Sequence, residues 1–217
     1  MNLDHVRRVL NRFEREGYDP IVVGGIAVLI AGYGATKDID LIVASPKFDA
    51  IEYDFREDIE MEIISVTGGW VANGRFYPQK DRPGGAYVTF DVLNPDRFVG
   101  KSFSGKSFFE YVRAEASTRT TNGRIAKPPV VYYTRLLVPG PHGEQYLLRI
   151  IRDLDEGAPT KWLDEARDIA IRFGTEEKVQ ERLRQIEAIL NSADPHSTSA
   201  PSSKTVHRGH RKVVQSK

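Results

Sequence analysis

Three aspartates and a pair of glycines are the residues of this sequence whose types and spacing could do chemistry. Gly24-Gly25 follows an apolar run, and Asp38 and Asp40 stand on either side of one isoleucine. On one strand, these aspartates would point the same way with Cα atoms about 7 Å apart, which suits metal ions about 3.5–4 Å apart. Carboxylates are the ligands of hard cations such as Mg²⁺ or Mn²⁺. The spacing indicates a metal site, although a charged, exposed strand face would also explain an isolated Asp-x-Asp.

The third aspartate, Asp91, lies within the segment 87–93 (YVTFDVL), which is rich in aromatic and β-branched residues. That composition predicts a strand buried on both faces. A buried acid needs a cation, an arginine or a hydrogen-bond donor as partner. Two alternatives follow: Asp91 is a third metal ligand, or it forms a buried ion pair with Arg75 or Arg97.

The elements next to these residues would position them. The segment 20–25 (PIVVGG) predicts a buried strand ending in a glycine turn, and 26–31 (IAVLIA) a buried helix. Backbone N–H groups at such a helix start attract phosphate. The segment 37–44 (KDIDLIVA) predicts the next strand, because alternation places Ile39, Leu41 and Val43 on one face.

The remaining elements follow from periodicity and from the positions of glycine and proline. We predict further helices over 3–16, 48–58, 145–155, 159–173 and 175–190. We predict further strands over 61–66, near Arg124 and over 130–132, and a loop over 68–85 that a short strand near Phe76 interrupts. The predicted fold class is therefore α+β with an α/β-like head, a small mixed sheet with flanking helices, and a helical C-terminal half.

Composition excludes several classes of site. The chain of 217 residues has no cysteine, and only His5 and His142 lie outside the last 26 residues, so thiolate and multi-histidine metal centres are excluded before Ser192. The net charge is +1, but residues 192–217 carry five basic residues and one acidic residue. We predict a head over 1–98, a mixed and then helical half over 99–191, and a disordered basic tail over 192–217 that could touch nucleic acid.

Charges stand near the N-terminus where a signal peptide needs an apolar run. The longest uncharged stretch, residues 20–36, is 17 residues long. A membrane span needs about 20 residues. We expect a soluble, cytoplasmic protein.

The segment 22–43 (VVGGIAVLIAGYGATKDIDLIV) resembles the head of the nucleotidyltransferase superfamily, the DNA polymerase β-like fold. That family has a Gly-Gly or Gly-Ser turn opening a helix, Asp-x-Asp on the next strand, and one more Asp on a later strand. The Gly-Gly variant with the segment 36–41 (TKDIDL) is similar to AbiEii-like toxins and related small transferases. The resemblance implies a nucleotidyltransferase-type sheet and a nucleoside triphosphate (NTP) co-substrate.

The resemblance also implies roles for particular residues. Asp38, Asp40 and Asp91 would be the catalytic residues and the ligands of two Mg²⁺ ions. An acceptor hydroxyl, on RNA or tRNA, a protein or a small molecule, would attack the α-phosphorus in line, and pyrophosphate would leave. Residues that would bind the nucleotide are Gly24, Gly25, Lys37, Arg149, Lys161 and Asp168, with Arg152 as the alternative to Arg149 and Asp164 as the alternative to Asp168.

Two other functions remain open from the sequence. The segment 100–107 (GKSFSGKS) matches the Walker pattern, which would make Lys106 and Ser107 part of a P-loop NTPase if a strand preceded it and a helix followed. The chain could also be a non-catalytic nucleotide-binding or interaction protein that keeps the transferase fold.

Overall fold

The structure, a computed structural model, describes residues 3–34, 36, 38–48, 50–51, 59–66, 69–76, 88–138 and 140–193. The described helices are α1 (Leu3–Arg15), α2 (Gly24–Ile30), α3 (Ser45–Phe48), α4 (Pro95–Val99), α5 (Phe108–Ala114), α6 (Pro128–Leu137), α7 (Gly140–Asp155), α8 (Lys161–Arg172) and α9 (Glu176–Ala193). The described strands are β1 (Ile21–Val23), β2 (Ile39–Ile42), β3 (Ile59–Val66), β4 (Gly69–Phe76), β5 (Val88–Leu93), β6 (Ser117–Thr120) and β7 (Gly123–Ala126).

The strands form one mixed sheet of seven in the order β3-β4-β5-β2-β1-β7-β6. β2 runs parallel to β5 and β1 parallel to β7, while the other neighbouring pairs are antiparallel. The predicted fold class, with a small mixed sheet, flanking helices and a helical C-terminal half, is confirmed. β2 and β5 lie at the centre of the sheet and carry Asp40 and Asp91.

One face of the sheet is covered by α1. The apolar residues of α1 that follow Leu3 are buried, and the ring of Phe13 packs edge-to-face on Phe90 of β5 at 5.5 Å between centroids. Ile39 of β2 pairs in register with Phe90, so both belong to this covered face. Side chains at alternate positions of β2 and β5 therefore point to the opposite face, and these include Asp40 and Asp91.

The C-terminal half is organised around α6, whose valines and tyrosines are completely buried. α6 packs against α7, α8 and α9, and also against α2 of the sheet-forming part. The helix α2 leads directly out of β1, so this contact ties the helical half to the central strands. None of the helices in the described part of the chain is both long and apolar enough to cross a membrane.

Three predictions about local structure were wrong. All of the described residues of the predicted loop over 68–85 belong to strand β4, whose backbone is paired on both sides and whose last residue is Phe76. The predicted strand over 130–132 is part of α6, since Pro128-Pro129 begins a helix whose tertiary contacts outweigh β-branched propensity. β5 is buried on only one face, with Thr89 exposed. The predicted helix over 48–58 lies mostly outside the described residues, as does the tail from residue 194 onward.

Candidate active site

Asp40 and Asp91 lie side by side at the centre of the sheet. Asp40 of β2 pairs in register with Asp91 of β5, on adjacent parallel strands, so the two side chains share one face. Asp40 is also the register partner of Val23, the last residue of β1. Both aspartates are partly exposed. The sequence prediction that Asp91 joins the Asp-x-Asp segment in space agrees with this register.

The two carboxylates lie in an environment that disfavours negative charge. Burial raises the pKa of Asp40 to about 7, with further contributions from the charges of Asp91 and Asp38. A hydrogen bond from the Gly25 backbone N–H and the charge of Arg135 oppose that rise. Burial and the charge of Asp38 also raise the pKa of Asp91. Carboxylates that raise one another's pKa in this way are a candidate cation site.

Asp38 lies outside the strand, which corrects the expectation that it shares the strand with Asp40. It occupies a bend immediately before β2 and is exposed. Two threonines hold this segment: Thr89 Oγ1 donates to Asp38 Oδ1 at 3.0 Å, and Thr36 Oγ1 donates to the Asp38 carbonyl at 3.1 Å. These hydrogen bonds hold Asp38 just before the first residue of β2. From there, its negative charge raises the pKa of Asp40 and of Asp91.

The two glycines allow the end of β1 to lie against this site. A Cβ atom on Gly24, whose φ is +66°, would be 1.8 Å from Asp40 Oδ2. A Cβ atom on Gly25 would be 2.5 Å from Cβ of Thr36. A residue larger than glycine at position 24 would displace the Asp40 side chain, and one at position 25 would displace the Thr36 side chain.

Gly24→Ala should therefore destabilise the protein and displace the Asp40 carboxylate. The φ of +66° costs about 1–2 kcal/mol for any L side chain, and the clash with Asp40 adds to that cost. Gly140→Ala is the matched control, because Gly140 has a φ of +68° and open space around the added Cβ. Urea unfolding of both variants isolates the contribution of the clash. Equal losses of stability would show that Gly24 is not packed on Asp40.

A buried ion pair lies beside the acids and was not predicted from the sequence. Arg135 Nη1 of α6 donates to Asp153 Oδ2 of α7 at 2.9 Å, and their side chains are 7% and 1% exposed. Burial raises the pKa of Asp153, and the guanidinium of Arg135 opposes that rise. Since Arg135 also acts on Asp40, this pair joins the helical half to the site.

The predicted nucleotide-binding residues have different outcomes. Gly24 and Gly25 contact the acid site, and Arg149 lies on α7 over the ring of Tyr146, at 5.6 Å. Lys161 and Asp168 are exposed on α8, and no hydrogen bond or ion pair of the described residues joins either to the aspartates. Lys37 lies outside the described residues.

The Walker-type segment does not form a phosphate loop. The helix α4 precedes it, where a P-loop needs a buried strand, and Lys101 and Ser107 form an isolated β-bridge across it. The Ser107 hydroxyl caps α5 by accepting from the Glu110 N–H. Lys106 Nζ is bound to Glu115 Oε1 at 2.9 Å. Lys106 and Ser107, which would hold phosphate and Mg²⁺ in a P-loop, instead form an ion pair and a helix cap.

An open cavity of about 500 Å³ lies at the other end of β1 and β2, lined in part by Asp19, Lys106 and Arg113. Its charges are largely satisfied within the protein, since Arg113 pairs with Asp19 and Lys106 with Glu115. The cavity is separated from the aspartates by the length of the central strands. We therefore assign no part of the candidate active site to it.

The donor set fits a hard divalent cation in its chemistry. Asp38, Asp40 and Asp91 supply only carboxylate oxygens, and a bound cation would relieve the repulsion that raises the pKa of Asp40. In the described part of the chain, no three acidic or histidine side chains already stand close enough together to hold a metal ion. Side-chain rearrangement would accompany binding of Mg²⁺ or Mn²⁺.

The chain matches no protein-family model, and it has no match among curated proteins. Among solved structures, it is similar to a candidate nucleotidyltransferase from Thermotoga maritima, with 16% identity, 75% of this chain and 92% of that chain covered, and a TM-score of 0.42. It is similar to a candidate nucleotidyltransferase from Helicobacter pylori, with 13% identity, coverage of 90% and 97%, and a TM-score of 0.40. It is also similar to ANT(2″)-Ia in complex with adenylyl-2″-tobramycin, with 11% identity, coverage of 87% and 98%, and a TM-score of 0.41.

The similarity to AbiEii-like proteins stays a prediction. With TM-scores near 0.4, the function has to be inferred from the site itself.

Proposed function

We propose that this protein is a Mg²⁺-dependent nucleotidyltransferase. It would transfer a nucleoside monophosphate from an NTP to an acceptor hydroxyl, with release of pyrophosphate. The observation that carries the proposal is the register of Asp40 with Asp91 on adjacent parallel strands, with Asp38 held immediately before β2. The sequence resemblance of residues 22–43 supports the same class.

Asp38, Asp40 and Asp91 would hold the cation, Mg²⁺ or Mn²⁺. When bound, such a cation withdraws charge from phosphate oxygens and lowers the pKa of a hydroxyl. The bound cation would lie beside the turn formed by Gly24 and Gly25, against which the Asp40 side chain packs.

The chain's own acid–base group would be Asp91, which is partly exposed on the open face of β5. In the metal-free protein, burial and the charge of Asp38 raise the pKa of Asp91. Asp91 would accept the proton of the acceptor hydroxyl as the new oxygen–phosphorus bond forms. The bond from the α-phosphorus to the bridging oxygen breaks, and that oxygen leaves with pyrophosphate. Arg149, exposed on α7, is the proposed cationic contact to the nucleotide.

A transfer assay tests this reaction. NTPs labelled at the α-phosphate are incubated with Mg²⁺ and with RNA, protein or small-molecule hydroxyl acceptors. We expect label on one acceptor class, an equal amount of pyrophosphate, and a loss of at least about a thousandfold in the Asp38→Ala/Asp40→Ala variant. Release of orthophosphate, or transfer that survives in the variant, would contradict the proposal.

A further inference from the structure

The loop between α2 and β2 carries Asp38 and is held to the candidate site by two threonines. Thr36 Oγ1 donates to the Asp38 carbonyl at 3.1 Å, and Thr89 Oγ1 of β5 donates to Asp38 Oδ1 at 3.0 Å. Thr89 is two residues before Asp91, so the two side chains share one face of β5. The position of Asp38 relative to Asp91 therefore depends on where this loop lies.

The same loop is held from the other side by the C-terminal end of α7. The Gly34 N–H donates to Oε2 of Glu156, the residue after α7, at 3.2 Å. A Cβ atom on Gly34, whose φ is +69°, would be 2.8 Å from Asp153 Oδ1, so this carboxylate packs directly on the Gly34 backbone. The helical half thus contacts the loop four residues before Asp38.

Asp153 is itself fixed, so it offers the loop a rigid surface. Its side chain is 1% exposed, and its second oxygen, Oδ2, accepts from Arg135 Nη1 at 2.9 Å. Moving Asp153 would leave the buried guanidinium of Arg135 without this partner, which is costly. Beside Gly34, the ring of Tyr33 packs edge-to-face on Trp162 of α8 at 5.4 Å between centroids. The loop is therefore seated on the helical half by two neighbouring residues.

We propose that Asp153 and Glu156 are positioning residues that set the place of Asp38 at the candidate cation site through Gly34. This inference rests on the proposed function, because it concerns the ligands of the same cation. It makes the affinity of the aspartates for a divalent cation depend on the contact between α7 and the loop, although neither positioning residue is a proposed ligand.

The first test is Gly34→Ala, whose added methyl group would collide with Asp153 Oδ1 and shift the loop. Gly32→Ala is the matched control, because Gly32 lies in the same loop with a φ of +96° and open space around an added Cβ. Both substitutions strain the backbone, and only the first meets the buried carboxylate. Calorimetric titration with Mn²⁺ alone measures cation affinity, at a temperature where thermal unfolding shows both variants to be folded.

We expect Gly34→Ala to weaken Mn²⁺ binding by about tenfold or more, which is the usual effect of losing a residue that orients a metal ligand. Gly32→Ala should bind Mn²⁺ as the unsubstituted protein does. Equal affinities of the two variants would overturn the inference. Failure of the unsubstituted protein to bind Mn²⁺ would instead contradict the proposed function, and this inference with it.

A second test uses Glu156, whose exposed side chain can be changed without unfolding the protein. Glu156→Gln keeps an oxygen that accepts from the Gly34 N–H, whereas Glu156→Ala removes it. We expect Glu156→Ala to weaken Mn²⁺ binding by about threefold and Glu156→Gln to retain the affinity of the unsubstituted protein. Equal losses in both variants would show that Glu156 acts through its charge, which would overturn its role as a positioning residue.

Discussion

Asp40→Asn should stabilise the metal-free protein and abolish the proposed Mg²⁺-dependent binding of nucleotide. The pKa of Asp40 is raised from 3.8 to about 7 in the folded protein, so ionising this carboxyl opposes folding. At about 1.4 kcal/mol per pKa unit, the neutral amide should add a few kcal/mol to the free energy of unfolding at pH 8. The same substitution removes a negative oxygen that the cation needs.

The gain in the free energy of unfolding from Asp40→Asn should increase as the pH rises. Between pH 4 and about 7, folded Asp40 holds a proton that the unfolded chain has released, so its contribution to stability falls as the pH rises. Asp40→Asn removes this dependence, and its advantage should therefore be larger at pH 8 than at pH 5. Urea unfolding at both pH values measures the difference, with exposed Asp155→Asn as the control. A destabilised Asp40→Asn variant at pH 8 would show that the carboxylate is held by favourable contacts.

Asp153→Ala should cost about 3–5 kcal/mol of the free energy of unfolding. It leaves the guanidinium of Arg135, whose side chain is 7% exposed, buried without its 2.9 Å partner. The double variant Arg135→Met/Asp153→Leu should lose much less, because it removes both charges and fills the space with apolar side chains.

The control for this pair is Glu181→Ala. Glu181 forms an exposed ion pair with Arg184 at 3.3 Å, and its loss should change stability by less than about 1 kcal/mol. Equilibrium unfolding in urea compares the three variants. If Asp153→Ala cost no more than Glu181→Ala, the pair would not be the buried connection between the helical half and the site.

Local pattern was sufficient to predict the strands that carry the candidate site. The Gly-Gly turn, the Asp-x-Asp segment and an acid within an aromatic, β-branched strand are all short-range signals, and β1, β2 and β5 lie where these signals indicate. The sequence also allows Thr89 to be placed near the aspartates, because it is two residues before Asp91 and alternation puts both side chains on the same face.

Contacts between distant segments could not be predicted in the same way. The pairing of β7 with β1 and the contact of Arg135 with Asp153 depend on how the helical half folds back, which no local spacing specifies. A weak signal existed for Arg135, since a lone arginine in an otherwise apolar helix needs a buried partner. For α6, the paired prolines at its start were a helix signal that the β-branched residues after them obscured.

Calorimetric titration of the unsubstituted protein with each of the four Mg²⁺–NTPs tests the central claim most directly, since it needs no acceptor. The Asp38→Ala/Asp40→Ala variant and the Lys106→Ala variant are measured beside it. We predict binding that requires Mg²⁺, disappears in the double aspartate variant and persists in Lys106→Ala. Binding that survives loss of the aspartates, or no binding by the unsubstituted protein, would contradict a metal-dependent nucleotide site at Asp38, Asp40 and Asp91.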